Sequence, residues 1–531
     1  MSTATTIPAP PPRALPPVLG RLFSGTLWLA VRVPLQIVFS LWTTRLILEN
    51  VGEVQLGAYG FAWGFGFLQM LFEFGVSSAL QRQISECWTR GDRKGVDRAV
   101  ACGLNFYTAT ALVQVAALLV IAYLALPWSK YEQGTDAYHL IVRLLWIQIV
   151  TAPCYGFSVV VSSVLQAARR YEFIPRIEFA ITILRFLILL IGLKSGVSFF
   201  WVVVMQTAIQ VGISLGPSVW VLTRELGQSL SFRGAEWSDY KALGQVSLYM
   251  AMIQLSVVLA DKIDASILGF VVPDPGRANA VYDVVSKPFL QLRQTGWMLA
   301  YMVMPAVASL AAARDEKGLE RVKYDGTRMH IGAVLPIGLL GWLYAAPFLT
   351  LWVGHRLGDP ATEVAPLMRL FLTAAIPLVL SVPVQMAIGF NKIPVIALAA
   401  LGGAVVNLPV SYVLTRQIGV AGVIWGTVVT TFVSNLLIPG VYVMRVLDID
   451  PRELFRRTLA APLAGAAATV AATALLSRAF PVTFPGPTAI TRVLPLLVHL
   501  SVGFSAYLIG YLLTPAGRVD LAMLRAKFRR A

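Results

Sequence analysis

Charged side chains inside long apolar runs are the residues of this sequence best suited to binding or transport. Residues 259–270, LADKIDASILGF, place Asp261, Lys262 and Asp264 within one such run. On an α-helix the two aspartates lie on one side, and Lys262 projects away from Asp264, so it cannot neutralise that carboxylate within the same helix. If the run crosses a bilayer, an ionisable side chain there costs about 3 kcal/mol or more and faces a partner or a polar cavity. The pattern therefore predicts that other helices supply the partners.

The next apolar run carries a polar stripe that could provide one partner. Asp283, Lys287, Gln291 and Gln294 follow spacings of four, four and three residues, and Arg293 lies on an adjacent face. When the helical rise is counted from the ends of the two runs, Asp261 and Lys287 lie at matching depth. These two side chains could therefore form an ion pair.

The first two apolar runs show a parallel arrangement. Arg32 and Gln36 share a face of the first run, and Gln69 and Glu73 share a face of the second. Arg32 and Glu73 lie at similar depth, so they could pair in the same way.

Two interpretations of these charges stay open. Each pair could be a structural ion bridge that allows two helices to pack. Alternatively, the basic side chains line a polar, net cationic cavity that would attract an anionic ligand; these are Arg32, Lys262, Lys287 and Arg293. The candidates for the remaining polar wall or for ion coupling are Glu73, Asp261, Asp264, Gln36, Gln69 and Gln291.

The composition indicates which elements position these residues. Of the 531 residues, 57% are hydrophobic and only 13% are charged, whereas soluble domains carry about 25% charged residues. The mean hydropathy is +0.71. The sequence therefore predicts an all-α polytopic membrane protein with about 14 transmembrane helices. These lie near 23–47, 56–81, 99–126, 139–165, 178–194, 197–222, 243–270, 278–310, 330–353, 365–389, 394–415, 419–446, 458–477 and 493–514.

Basic residues and an internal repeat predict orientation and lobes. Most Lys and Arg fall in segments on the side of the amino terminus, so both termini are expected in the cytoplasm. The stretch QAARRYEFIP at 166–175 recurs as QMAIGFNKIP at 385–394, about 220 residues later, which indicates two parallel six-helix repeats.

The formal net charge of +16 suits anionic lipids at the cytoplasmic face, and nucleic-acid binding is not expected. The predicted divisions are a disordered cytoplasmic leader (1–22), an N-lobe (23–223), a cytoplasmic linker (224–242), a C-lobe (243–446), two extra helices (447–514) and a basic cytoplasmic tail (515–531).

Several short motifs, in their order along residues 23–446, resemble a known family. They are Arg45-Leu-Ile-Leu, Gly57-Ala-Tyr59, Phe74-Gly75-Val76, Asp261-Lys262 leading to Tyr282, and Asn407 followed by Gly419-Val-Ala-Gly422. Together they resemble polysaccharide transporters, the lipid-linked oligosaccharide flippase group of the multidrug/oligosaccharidyl-lipid/polysaccharide exporter superfamily. O-antigen flippases and lipid II flippases are members of this group.

The resemblance implies two six-helix lobes around a central cavity that alternates between inward- and outward-facing states. It also implies a bacterial cytoplasmic-membrane protein that exports an undecaprenyl-diphosphate-linked glycan for O-antigen, exopolysaccharide or peptidoglycan. Arg32, Lys287 and Arg293 match, by helix position, the basic residues that meet the diphosphate in lipid II flippases. The two extra helices resemble a pair that lies beside a groove for the lipid tail. A monomer is expected, with Na⁺ or H⁺ as counter-ion, other polysaccharide-assembly membrane proteins as partners, and neither cofactor nor metal.

Two other classes remain as alternatives. A cation-coupled multidrug or toxin exporter of the same superfamily commonly carries an acidic residue on its first helix, where this chain has Arg32. A membrane glycosyltransferase or polymerase would need convergent acid–base groups on a sizeable outer loop, and the outer loops predicted here are short. The sequence therefore favours a transporter and no enzymatic activity.

Overall fold

The chain is almost entirely helical in the part that the computed structural model describes, which is residues 18–73, 76–168, 173–301, 303–484 and 489–528. In these ranges the only β-type pairing is an isolated bridge between Arg356 and Gly358. The predicted all-α class is therefore confirmed.

The α-helices, numbered along the chain, are α1 Val18–Asn50, α2 Glu53–Gly64, α3 Phe67–Leu71, α4 Val76–Thr89, α5 Arg93–Val120, α6 Asp136–Ala167, α7 Phe173–Lys194, α8 Phe199–Trp220, α9 Trp237–Val271, α10 Pro275–Tyr301, α11 Val303–Ala312, α12 Glu316–Arg321, α13 Thr327–Leu343, α14 Ala345–Trp352, α15 Ala365–Thr373, α16 Ser381–Gly389, α17 Pro394–Ile418, α18 Val420–Thr431, α19 Ile438–Val446, α20 Pro451–Glu453, α21 Ala460–Ala479, α22 Ala489–Leu513 and α23 Pro515–Phe528. π-Helical turns lie at Ile121–Ala125, Val221–Glu225, Val322–Gly326, Pro360–Val364, Phe432–Leu437 and Leu454–Leu459, and 3-10 turns at Leu126–Trp128 and Ile376–Leu380.

Many of these helices are long and apolar enough to cross a membrane. In the described part of the chain there are eight, and nine if α12–α13 and α14, which meet at a bend of 73°, form one span. The eight are Arg93–Trp128, Asp136–Ala167, Phe199–Glu225, Pro360–Gly389, Pro394–Ile418, Val420–Val446, Pro451–Ala479 and Thr491–Leu513. The chain is therefore a multi-pass membrane protein, while the count of fourteen spans stays a prediction.

Some predicted helices are interrupted in the structure. The helix predicted over 56–81 is divided between α2 and α3, because the Gln148 side-chain amide donates to Ala62 O at 2.8 Å and Gly66 N–H donates to Trp63 O instead. The helix predicted over 365–389 is divided where Pro377, which lacks an N–H, lies in a 3-10 turn. In addition, α1 begins at Val18, earlier than the predicted boundary of the leader at residue 22.

The chain divides into two compact units. The first consists of Met1–Thr43, Ser77–Thr108 and Pro153–Tyr240, and the second of Thr44–Val76, Ala109–Ala152 and Lys241–Ala531. These boundaries differ from those of the predicted lobes, and the six-helix repeat stays a prediction.

The first unit contains the predicted linker, which is attached to α5. The Asn105 amide donates to Phe232 O and to the Tyr240 hydroxyl, each at 3.0 Å, and Arg98 pairs with Glu236 at 3.3 Å. The linker is therefore a structured element packed along one helix.

The second unit is built on close helix contacts. A Cβ at Gly57 of α2 would lie 1.8 Å from Gly276 O at the start of α10, so only glycine allows these backbones to approach. At the other end of the unit, Gly419 takes φ +62° and turns the chain sharply from α17 into α18. These contacts fix α10 and α18, which carry side chains of the site.

The predicted basic tail forms helix α23, which is attached by a buried ion pair. Arg328 of α13 donates Nε to Asp520 Oδ2 at 2.9 Å and Nη2 to Oδ1 at 2.5 Å, and the Tyr511 hydroxyl donates to Asp520 Oδ2 at 2.6 Å. Both side chains of the pair are at most 5% exposed. The tail is thus part of the packed unit.

Candidate functional site

The second unit contains a cavity of about 600 Å³, within the range of ordinary small-molecule sites. Its walls come from α9, α10, α16, α17 and the α18–α19 region. Most of its lining is aliphatic, with a limited number of polar side chains, as is usual for ligand sites.

Two of the four predicted cations line the cavity. Lys262 is exposed on α9, and Arg293 is half-buried on α10 with its guanidinium carbon 5.2 Å from the centre of the Phe289 ring. Lys262 makes no ion pair with a described residue. Among the described lining residues there is no carboxylate. The cavity wall therefore carries positive charge.

Lys287 lies outside the lining. Its ammonium group donates to the Asp283 carboxylate one turn earlier on α10 and to the Thr44 hydroxyl near the end of α1. The prediction paired Lys287 with Asp261, whose side chain lies outside the described part. The observed partner comes from its own helix, because residues four apart are neighbours on a helix surface.

Asp264 is fully buried beneath α10 and α18. Its Oδ2 accepts hydrogen bonds from the Tyr282 hydroxyl at 2.9 Å and from the Thr427 hydroxyl at 3.0 Å. Two hydroxyl donors partly replace the water that a buried carboxylate loses. Asp264 of α9 is thus hydrogen-bonded to side chains of two other helices, α10 and α18.

Another acidic candidate is Glu73, which lies two residues after the end of α3 and is 6% exposed. Its Oε2 accepts from the Gln254 amide at 3.4 Å. Gln69 is half-buried on α3, and Gln36 is half-buried on α1. The side chain of Arg32 lies outside the described part, so its predicted pairing with Glu73 stays a prediction.

The sequence identified some polar side chains of the cavity and missed others. Gln291 and Gln294, which the sequence places on one polar stripe, both line the cavity. Gln385, Asn435 and the Trp297 ring also line it and were not candidates for the site. Gln385 lies on α16 and had no local signal, because its position depends on tertiary packing.

In the described part of the chain no group of three or more His, Cys, Asp or Glu residues could hold a metal ion. The described lining of the cavity offers charge attraction and hydrogen bonding by Lys, Arg, amide and hydroxyl groups.

Comparison with known proteins gives the fold. The MatE family model matches residues 29–194. A multidrug resistance MATE family transporter of the MOP superfamily, in an inward-facing conformation, is 16% identical, with 78% of this chain and 95% of that chain covered and a TM-score of 0.62. The lipid II flippase MurJ, in an inward closed conformation, is 13% identical, with 92% and 98% covered and a TM-score of 0.67.

A third similar structure is the eukaryotic MATE transporter AtDTX14, which is 16% identical, with 80% of this chain and 96% of that chain covered and a TM-score of 0.57. No curated protein sequence matches the chain. The similar structures are of transporters and not of enzymes, in agreement with the expected absence of catalysis. The chain therefore has the fold of the transporters of the multidrug/oligosaccharidyl-lipid/polysaccharide exporter superfamily.

Proposed function

We propose that the protein is a flippase that moves an undecaprenyl-diphosphate-linked oligosaccharide or polysaccharide precursor outward across a bacterial cytoplasmic membrane. The observation that carries this proposal is the cavity lined by Lys262 and Arg293 without a carboxylate among its described lining residues. Such a wall attracts an anion and disfavours a cation.

A diphosphate headgroup needs this kind of wall to cross hydrocarbon. Its charge loses hydration in the membrane, and guanidinium and ammonium groups replace that hydration through charge-assisted hydrogen bonds. Arg293 offers a planar fork of donors that fits phosphate oxygens, and Lys262 offers a compact charge on a flexible stem. Arg32 and Lys287 are proposed to assist at other stages of transport.

The structural comparison supports this choice at the level of the fold. The match to the lipid II flippase covers 92% of this chain, against 78–83% for the multidrug transporters. The alternative is a cation-coupled drug exporter, which the MatE match over residues 29–194 favours. The two functions differ in the sign of the substrate's charge, so binding measurements separate them.

The test is binding of the purified protein in nanodiscs to undecaprenyl diphosphate, undecaprenyl monophosphate and a panel of organic cations. We expect preference for the diphosphate, and a loss of about tenfold or more in Arg293→Ala and Lys262→Ala, because charge-assisted hydrogen bonds contribute about 1.5–3 kcal/mol each. Arg416→Ala is the matched control, because Arg416 is an exposed cation on α17 outside the cavity. Binding of organic cations alone would replace the flippase by the drug exporter.

Ion coupling is proposed to use a buried carboxylate, with Asp264 preferred over Glu73 and Asp261 because its hydroxyl neighbours come from two other helices. Asp264→Asn should retain diphosphate binding but lose the acceleration of lipid flipping by a Na⁺ or H⁺ gradient. Tyr282→Phe, which keeps the carboxylate, should retain gradient dependence. Unchanged acceleration in Asp264→Asn would exclude Asp264 from coupling.

A further inference from the structure

Besides Lys262 and Arg293, which are proposed to bind the diphosphate, the cavity is lined by a second set of polar side chains, which are uncharged. Gln385 of α16 is 5% exposed and lines the cavity, and its Oε1 has no hydrogen-bond partner among the described residues. Buried side-chain acceptors in native proteins are nearly always hydrogen-bonded, so an acceptor left open at a cavity wall indicates a donor supplied from within the cavity.

Other amide groups face the same cavity. Gln291 and Gln294 lie three residues apart on α10, so they share a face of that helix, and both line the cavity. Asn435 contributes a fourth amide from the π-helical turn Phe432–Leu437. π-Helical turns frequently occur at functional sites, because they re-aim side chains within a helix. We call Gln291, Gln294, Gln385 and Asn435 the amide cluster.

An aromatic face accompanies the amide cluster. Trp297 lies three residues after Gln294 on α10, lines the cavity and is 43% exposed. An indole ring offers a flat apolar surface next to a polar N–H. Such a surface suits a ligand that has one apolar face and a polar rim.

A sugar ring has this combination of properties. Its hydroxyls both donate and accept hydrogen bonds, and an amide side chain also offers a donor and an acceptor. Its C–H face can stack on an indole. An ionised diphosphate can accept from amide N–H groups but has no hydrogen to donate to the Gln385 acceptor, and a purely apolar ligand would also leave that acceptor unpaired, which proteins avoid.

We propose that the amide cluster and Trp297 bind the sugar of the lipid-linked substrate, next to the diphosphate site at Lys262 and Arg293. This inference rests on the proposed flippase function and adds a glycan-recognition site to it. The Gln385 Oε1 accepts from a sugar hydroxyl, and Gln294 and Asn435 complete the hydrogen-bonding of the ring. The cavity thus selects among lipid diphosphates by the sugar they carry.

The experiment compares three lipids on the full-length protein in nanodiscs: bare undecaprenyl diphosphate, the same lipid with one hexose, and the same lipid with one N-acetylhexosamine. Wild type should bind at least one sugar-bearing lipid more tightly than the bare lipid. Gln385→Leu and Gln294→Leu should each reduce that preference about three- to tenfold, as expected for loss of one hydrogen bond, and leave binding of the bare lipid unchanged.

The control is Gln210→Leu, which removes an exposed amide of α8 that pairs with Arg185 outside the cavity and should retain the preference. Gln294→Cys gives an independent readout in a protein whose three native cysteines are replaced, because a bound sugar should protect it from a maleimide more than the bare lipid does. Equal binding of bare and sugar-bearing lipids by wild type, or an unchanged preference in both leucine variants, would overturn the sugar site and leave the flippase standing. Failure of wild type to bind any of the three lipids would overturn both.

Discussion

Replacing Asp520 with alanine is expected to detach helix α23 from α13. In the wild type, Arg328 and Asp520 form a two-pronged pair at 2.9 and 2.5 Å, with side chains 3% and 5% exposed. Alanine leaves the guanidinium buried with only the Asp325 carboxylate and Arg457 O, at 2.9 and 2.7 Å, as acceptors. Tyr511 also loses the acceptor of its hydroxyl.

The size of the effect follows from the burial of this pair. Removing one partner of a buried ion pair costs about 3–5 kcal/mol, because the remaining charge loses compensation, and the Asp325 carboxylate that Arg328 keeps places the expected cost at the lower end of this range. At 1.4 kcal/mol per factor of ten, the equilibrium for local opening of α23 should rise by about two powers of ten. Hydrogen exchange of the α23 amides in nanodiscs measures this opening directly.

A surface pair in the same region provides the control. Arg457 and Glu320 form an ion pair whose side chains are 30% and 50% exposed, and solvent screens the attraction in such surface pairs, so they contribute little to stability. Glu320→Ala should therefore change α23 exchange about fivefold or less. The double variant Arg328→Met with Asp520→Leu should regain much of the protection. If Asp520→Ala changed exchange no more than Glu320→Ala, the assignment of α23 stability to this pair would be refuted.

Two further changes test contacts within the same unit. Lys287→Met should destabilise the protein by leaving the half-buried Asp283 carboxylate without its ammonium partner. The double variant with Asp283→Leu should restore thermal stability. Continued loss of flipping in that stable double variant would instead assign Lys287 to the substrate. Gly57→Ala should reduce the amount of folded protein in size-exclusion chromatography, because its Cβ would lie 1.8 Å from a backbone oxygen of α10. A Cβ added at Gly60 would meet no atom within 4 Å, so Gly60→Ala should behave as wild type. Equal yields of the two variants would contradict the packing argument.

Hydropathy and helical period predict the class of this fold well, because both depend on local sequence. The all-α membrane class and the long apolar helices follow from runs that can be read directly, whereas the expectation of a transporter fold came from the resemblance of short motifs to a known family. The break between α2 and α3 could not be read in this way. It depends on Gln148, which reaches Ala62 O from 86 residues away, and no local pattern around Gly64 or Gly66 specifies that contact.

The site shows the same division between local and distant information. Lys262, Arg293 and Gln291 were found because charged and amide residues are rare in apolar runs. The Lys287–Asp283 pair was also readable, since the two residues lie four apart on one helix. Gln385 and Asp520 were not, because their roles depend on partners or cavities assembled from distant parts of the chain.

The separation of charges in the second unit has an electrostatic consequence for substrate choice. Asp264 and Asp283 both lie outside the cavity lining. The Asp264 carboxylate accepts hydrogen bonds from two hydroxyls, and the Asp283 carboxylate pairs with an ammonium group, so neither adds a carboxylate to the cavity wall. A unit charge about 5 Å from one lining cation, at an effective dielectric constant of about 20, gains or loses about 3 kcal/mol according to its sign. Beside Lys262, which makes no ion pair with a described residue, an anion is therefore preferred over a cation of equal size by about 6 kcal/mol, before desolvation is counted. A monovalent organic cation should accordingly fail to displace undecaprenyl diphosphate, and effective competition by such a cation would show that Lys262 and Arg293 do not set the potential of this cavity.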